Sequence, residues 1–177
     1  LTIMPIGGAP NMLAAFSQGS INGFSLSPPT TTTAEQQGGL VLMDLAKGEY
    51  QPLRGFLFTA LIAREDWLSG NAVTAQKMVK ALWRAEHLIA TDPDKAREAV
   101  RPYFSHTPAQ IFDAAWTASL PSYPATPRVE LSGIEKNISF MNAVEAEPVT
   151  LDPQAVFTNA IVDAVAPVLS DAQGAKK

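Results

Sequence analysis

The sequence predicts an α/β fold, a βαβ N-terminal part followed by a mostly helical C-terminal part, on three observations. Short apolar runs at residues 2–6, 21–26, 40–45 and 56–63 alternate with glycine or proline punctuation. Helix-compatible segments separate the first three runs, which is the rhythm of a largely parallel sheet. From Ser69 onward the apolar residues recur instead at helical spacing.

Residues 11–29 read as an amphipathic helix, a glycine turn, a short apolar strand, then two serines and two prolines where the strand ends. A strand ending on small polar residues puts hydroxyls and free amides at a sheet's carboxyl edge, where open α/β folds bind ligands. Ser25 and Ser27 alternate with Leu26, so both hydroxyls share one face, with Pro28 closing the strand. Simple capping of the strand end is the competing role. Gly7-Gly8-Ala9-Pro10-Asn11 lies between a strand and a helix. Its amides, with the helix dipole behind them, suit an anionic group, and a plain tight turn is the alternative.

Gly38-Gly39 supplies the left-handed conformation that closes the second helix. Residues 47–54 are polar with a Gly and a Pro, the composition of a surface connection. In the fourth strand Phe56, Phe58 and Ala60 share one face, and Leu57, Thr59 and Leu61 the other. Phe58 and Thr59, near that strand's end, are candidates for a cleft wall, with core packing the ordinary fate of such a phenylalanine.

Helix starts in the C-terminal part are marked by sequence. Asp92-Pro93, Thr107-Pro108 and Asp152-Pro153 each place a capping oxygen before a proline at the first helical position. Ser132-Gly133-Ile134-Glu135 has capping-box spacing. The longest helix, about residues 72–90, carries Ala75, Met78, Val79, Leu82, Ala85 and Ile89 as an apolar stripe to lay on a sheet. Lys77, Lys80, Arg84 and Glu86 form its solvated face. Residues 120–128, with three prolines, are expected as an extended strap, because proline lacks the donor that helices and central strands need. Residues 170–177 are small and polar and read as a frayed C-terminus.

Composition excludes more than it selects. The 177 residues carry a formal charge of -4 and are 46% hydrophobic, so a packed core is feasible and disorder is not expected. Lys and Arg are scattered, and no basic stripe exists to neutralise phosphates, which argues against nucleic acid. The absence of cysteine removes thiol nucleophiles, disulfides and cysteine-bound metals. His87 and His106 have no partner at metal spacing, and no GxSxG elbow is present. Glu65 and Asp66 are neighbours at a strand end and diverge, and Trp67, Trp83 and Trp116 fall in or beside helical stretches, where core packing is usual. No catalytic constellation emerges; the expectation is a protein that binds, without a cofactor or metal. The first residue is Leu1, the chain opens directly on a strand pattern, and no apolar run reaches the roughly 20 residues of a bilayer span. These features suggest that sequence is missing upstream, with any export signal.

The series TIMPIGGAPNMLAAFSQGSINGFSLSPP, GGLVLMDL, FLFTALIAREDWL, QKMVKALWRAEHLIATDPDKAREAVRPYF and PAQIFDAAW resembles the later part of periplasmic substrate-binding proteins. The family serves ABC importers of nitrate, sulfonates, taurine and thiamine precursors. Members often have a helix ending in "AL..G.iDa"; here Asn22 and Gly23 stand where Asp and Ala are commoner. The resemblance implies a two-lobed periplasmic-binding-protein-like fold, residues 1–50 finishing the second lobe and 51–177 returning through the hinge to the first. It also implies a periplasmic receptor that closes on a small, anionic solute and docks on a membrane permease, the rest of each wall being encoded upstream. Gly7, Gly8, Asn11, Ser25, Ser27, Pro28, Phe58 and Thr59 would contribute to the cleft. The alternatives are the effector domain of a transcription regulator, or a thiamine-pyrimidine-synthase-like enzyme. That enzyme relies on a cysteine-rich motif this chain does not have.

Overall fold

A computed structural model describes residues 1–174 as eight α-helices and four short 3-10 turns, with no strand among them. The helices are α1 (Ala9–Ser17), α2 (Thr30–Gln36), α3 (Glu65–Gly70), α4 (Ala72–Thr91), α5 (Pro93–Val100), α6 (Ala109–Ser119), α7 (Leu131–Val144) and α8 (Ala160–Gly174). The expected α/β architecture, and with it the sheet of a two-lobed binding protein, is therefore corrected: the fold is all-helical.

The correction has a local cause. The connections between the first three runs are long enough for parallel crossovers, but a strand also needs a neighbour to pair with, and no run has one. The strand-patterned runs also carry their own breakers: Pro5 in the first, and Asn22 and Gly23 in the second. All four runs lie outside regular structure, and several of their apolar side chains face solvent, including Ile3, Leu40, Leu42, Phe58 and Ile62. Short apolar alternation is thus a necessary sign of a half-buried strand and not a sufficient one.

The chain divides into two compact units, Leu1–Glu49 with Asp94–Tyr123, and Tyr50–Pro93 with Pro124–Lys177. In the first, α2 packs against both α1 and α6. Its buried apolar residues are Ala34, Ala96, Ile111, Phe112, Ala115 and Trp116. Both short helices end as the glycines require. After α1, Gly19 (φ 73°) donates to Phe16 O and Ser20 to Ala15 O. After α2, Gly38 (φ 91°) donates to Glu35 O and Gly39 to Ala34 O. Each pair is the two-bond closure of a Schellman motif. Gly39 has a second reason to be glycine, because a Cβ there would stand 2.8 Å from the Ala34 carbonyl oxygen. Across α5 and α6, Arg97 bonds Asp113 at 3.0 Å.

In the second unit α4 lies along α8, and Val79, Val162 and Val165 form a buried cluster with Trp83 and Ile161 against it. The buried face of α4 differs from the expected stripe. Ala75, Val79 and Trp83 turn inward, while Met78 and Leu82 are 51% and 40% exposed. A helix packed chiefly on one other helix, as α4 is on α8, buries a narrower seam than a helix on a sheet. The rotation carries Glu86 off the solvated face: one carboxylate oxygen is buried without a partner, and burial pushes the acid above its ordinary 4.5. A raised acid pKa means that the folded state holds its proton more tightly, so stability falls as pH climbs from about 4.5 through the folded value. Glu86→Gln is expected to flatten that decline and to stabilise the protein slightly at neutral pH. Urea unfolding between pH 4 and 7 checks it; an unchanged pH profile would show the carboxylate to be solvated.

Segments without regular structure in this unit are held by asparagines. Asn137 on α7 accepts from Leu57 N (3.0 Å) and donates to Leu57 O (2.8 Å). Asn159 does the same for Val129 (3.0 and 2.9 Å), and Asn142 for Val149 (2.5 and 3.4 Å). A carboxamide offers one acceptor and one donor side by side, the pattern a neighbouring strand would supply. Three side chains therefore stand in for sheet pairing. Around Asn137 the fit is close: a Cβ on Gly133 would lie 3.3 Å from Gly55 O, Lys136 donates to Arg54 O, and the Phe56 and Phe140 rings meet edge to face at 5.6 Å.

Of the marked helix starts, Asp92-Pro93 opens α5 with proline in the first position. At Thr107-Pro108 the proline is itself the residue before α6. Helix α7 begins at Leu131 with no side-chain cap, so the Ser132–Glu135 box is not made. Asp152-Pro153 opens only a 3-10 turn, with Asp152 accepting from Gln154 N at 2.9 Å. Residues 120–128 start with a 3-10 turn and run on without regular structure. Glu65 and Asp66 sit in the first turn of α3, not at a strand end. The backbone expected to fray from Ser170 is helical to Gly174, and residues 175–177 lie outside the described residues.

Candidate functional site

The first unit contains an open cleft of about 140 Å³, walled chiefly by Pro28, Phe104, Phe112, Trp116 and Tyr123, with the hydroxyl residues Thr107 and Ser119 at its edge. The wall is built by helix periodicity. Phe112, Ala115, Trp116 and Ser119 fall at three- and four-residue steps on α6, so one face presents two rings and a hydroxyl. Phe112 and Trp116 are also core residues, buried on their far sides, which fixes their rotamers.

Ring geometry joins these residues. Phe104 and Phe112 have centroids 5.6 Å apart, and Trp116 and Tyr123 are 6.3 Å apart, within the aromatic-pair range. Arg101 stands 4.9 Å above the Phe112 ring and donates to the carbonyls of Phe104 (2.6 Å) and Thr107 (3.1 Å). One cation thus ties down the turn between α5 and α6 while bringing positive charge against the cleft wall. The Ser119 hydroxyl donates to Ala115 O at 2.8 Å, which leaves its oxygen lone pairs for a ligand donor.

The residues expected from sequence are dispersed relative to this cleft. Pro28 lines it, next to Pro29 at the start of α2. Ser25 and Ser27 are exposed on the irregular stretch that leads into Pro28, and their hydroxyls make no protein hydrogen bond. Gly7 adopts φ 93°, and Gly8 precedes α1. At that helix end Pro10 has no N–H, and the amides of Asn11 and Met12 donate to Gly8 O at 3.0 and 3.2 Å. The turn therefore offers an anion fewer donors than its glycines suggest. Phe58 and Thr59 belong to the second unit, both exposed, Phe58 at 89%.

Sequence reasoning missed Phe104, Phe112 and Tyr123 and placed Trp116 in the core, where one side of it is. The available signal was the Phe112, Trp116, Ser119 stripe on a helix otherwise rich in alanine. Among the described residues no group of three or more His, Asp or Glu is placed to hold a metal ion, and no helix is long and apolar enough to cross a membrane. Comparison with known protein families, with curated proteins and with solved structures finds no match.

Proposed function

We propose that this chain captures a small organic solute and does not transform it, and that the aromatic cleft of the first unit takes that solute. The observation that carries this reading is the convergence of four aromatic rings on one open space, with a fixed arginine behind one of them. The volume of about 140 Å³ is close to that of cavities that hold a benzene-sized molecule. A flat or alkyl body would lie on Trp116 and Tyr123, and a polar group would sit toward the hydroxyl residues Thr107 and Ser119. The capture role, and delivery to a membrane permease, accord with the resemblance of these residues to importer receptors. The two-lobed sheet that such receptors use is not carried over with it.

Titration of the intrinsic fluorescence, to which Trp116 contributes together with Trp67 and Trp83, with benzenesulfonate, ethanesulfonate and nitrate tests the reading. Ligands of this size in an open apolar cleft reach a Kd on the order of 10 µM to 1 mM. Benzenesulfonate is expected to bind best and nitrate, with no apolar body, least. Tyr123→Ala, at a side chain already 45% exposed, is expected to weaken binding about tenfold through the lost stacking. No saturable change with any of the three would remove the proposal.

A further inference from the structure

We propose that the solute taken by the aromatic cleft is uncharged and carries a hydrogen-bond donor beside its ring, and that Ser119 Oγ receives that donor. This names the ligand class of the proposed capture site and rests on that proposal. No charged side chain lines the cleft, whose walls are rings, prolines, aliphatic groups and two hydroxyls. Arg101, the cation behind the Phe112 ring, stands outside the lining and directs one terminal nitrogen to the carbonyls of Phe104 and Thr107. An anion in the cleft would therefore give up water without gaining a cation, a cost that a neutral solute does not meet. A cation would find rings to lie on, but Arg101 already makes the Phe112 side of the cleft positive.

The hydroxyl protons decide which polar group fits. Ser119 ends α6 on the face that carries Phe112 and Trp116, and its Oγ lies 2.8 Å from Ala115 O. A carbonyl oxygen has no proton to give, so the single hydroxyl proton of Ser119 is committed to it. What Ser119 keeps for a ligand is lone pairs. Thr107 differs: among the described residues its hydroxyl bonds nothing, so it can donate as well as accept. The cleft thus combines stacking surface with one dedicated acceptor and one adaptable hydroxyl. A phenol, an aryl amide or an aryl sulfonamide matches that set. An arenesulfonate still has its ring to stack, but its oxygens would face the Ser119 lone pairs.

Three ligands of nearly one shape separate charge from donor. Benzenesulfonamide is uncharged at neutral pH and has N–H donors, methyl phenyl sulfone is uncharged without a donor, and benzenesulfonate is charged without a donor. Calorimetric titration of the whole chain is expected to rank them in that order. The sulfonamide should bind about fivefold tighter than the sulfone, the worth of one net hydrogen bond, and roughly tenfold tighter than the sulfonate. Ser119→Ala removes the acceptor and leaves a good helix former, so the fold is kept while the sulfonamide falls to within about twofold of the sulfone. Thr107→Val is expected to weaken all three, because Thr107 can donate to the sulfonyl oxygens they share, and to preserve the ratio of sulfonamide to sulfone.

Equal affinities for the three ligands would leave the capture reading standing and overturn this inference. So would a sulfonate that binds tightest, or a sulfonamide preference that survives Ser119→Ala. Saturable binding of none of them would remove the capture reading and this inference together.

Discussion

Replacing Trp116 with alanine is expected to destabilise the first unit by about 3–5 kcal/mol, the usual cost of deleting a large aromatic from a core. Trp116 is 8% exposed beside Phe112, Ile111 and Ala115, in a unit whose other buried apolar residues are mostly alanines. So few large side chains fill this core that neighbours cannot close the gap, and the cavity cost adds to the lost transfer energy. Because the cleft wall is the solvent side of the same ring, solute binding should go with it. Urea unfolding followed by circular dichroism checks the stability, and Trp116→Phe should lose less while keeping the fold. A loss below about 1 kcal/mol for Trp116→Ala would place the ring at the surface.

Asn137→Ala is expected to cost about 2 kcal/mol, because it removes two hydrogen bonds and leaves a part-buried amide and carbonyl of Leu57 without partners. Asn137→Asp separates the bonds from side-chain volume. The carboxylate still accepts from Leu57 N but turns an oxygen toward Leu57 O, so it should be no more stable than the alanine variant. Asn142→Ala breaks a similar clamp at an exposed position and should change stability by less than about 0.5 kcal/mol. Equal effects at Asn137 and Asn142 would mean that burial of the clamp does not set its strength.

These clamps show where sequence stopped being informative. Asn137 and Leu57 are separated by 80 positions, and nothing local marks either one. What could be read was local chemistry. The closing glycines of α2, the proline opening α5 and the helical course of residues 72–91 all follow from rules that act within a few residues. The face α4 buries was only half legible, since the stripe Ala75, Val79, Met78, Leu82 fits two adjacent seams and the partner helix chose one. The sheet was misread because alternation in residues 40–45 and 56–63 records side-chain preference, whereas a strand also needs a neighbour. For the cleft, Pro28 was read from its place after two serines, while the rings opposite it come from α6 and the turns flanking it, 76 to 95 positions later.

The central claim is that this chain builds a helical scaffold in which the strand-like segments stay unpaired, one of them clamped by Asn137. Amide hydrogen exchange on the dilute protein tests it most directly. The account predicts slow exchange at Leu57 and in α4 and α8, with unprotected exchange at residues 2–4, 41–43 and 58–63. Shared protection across residues 2–6, 21–26, 40–45 and 56–63 would reveal a sheet and contradict the account.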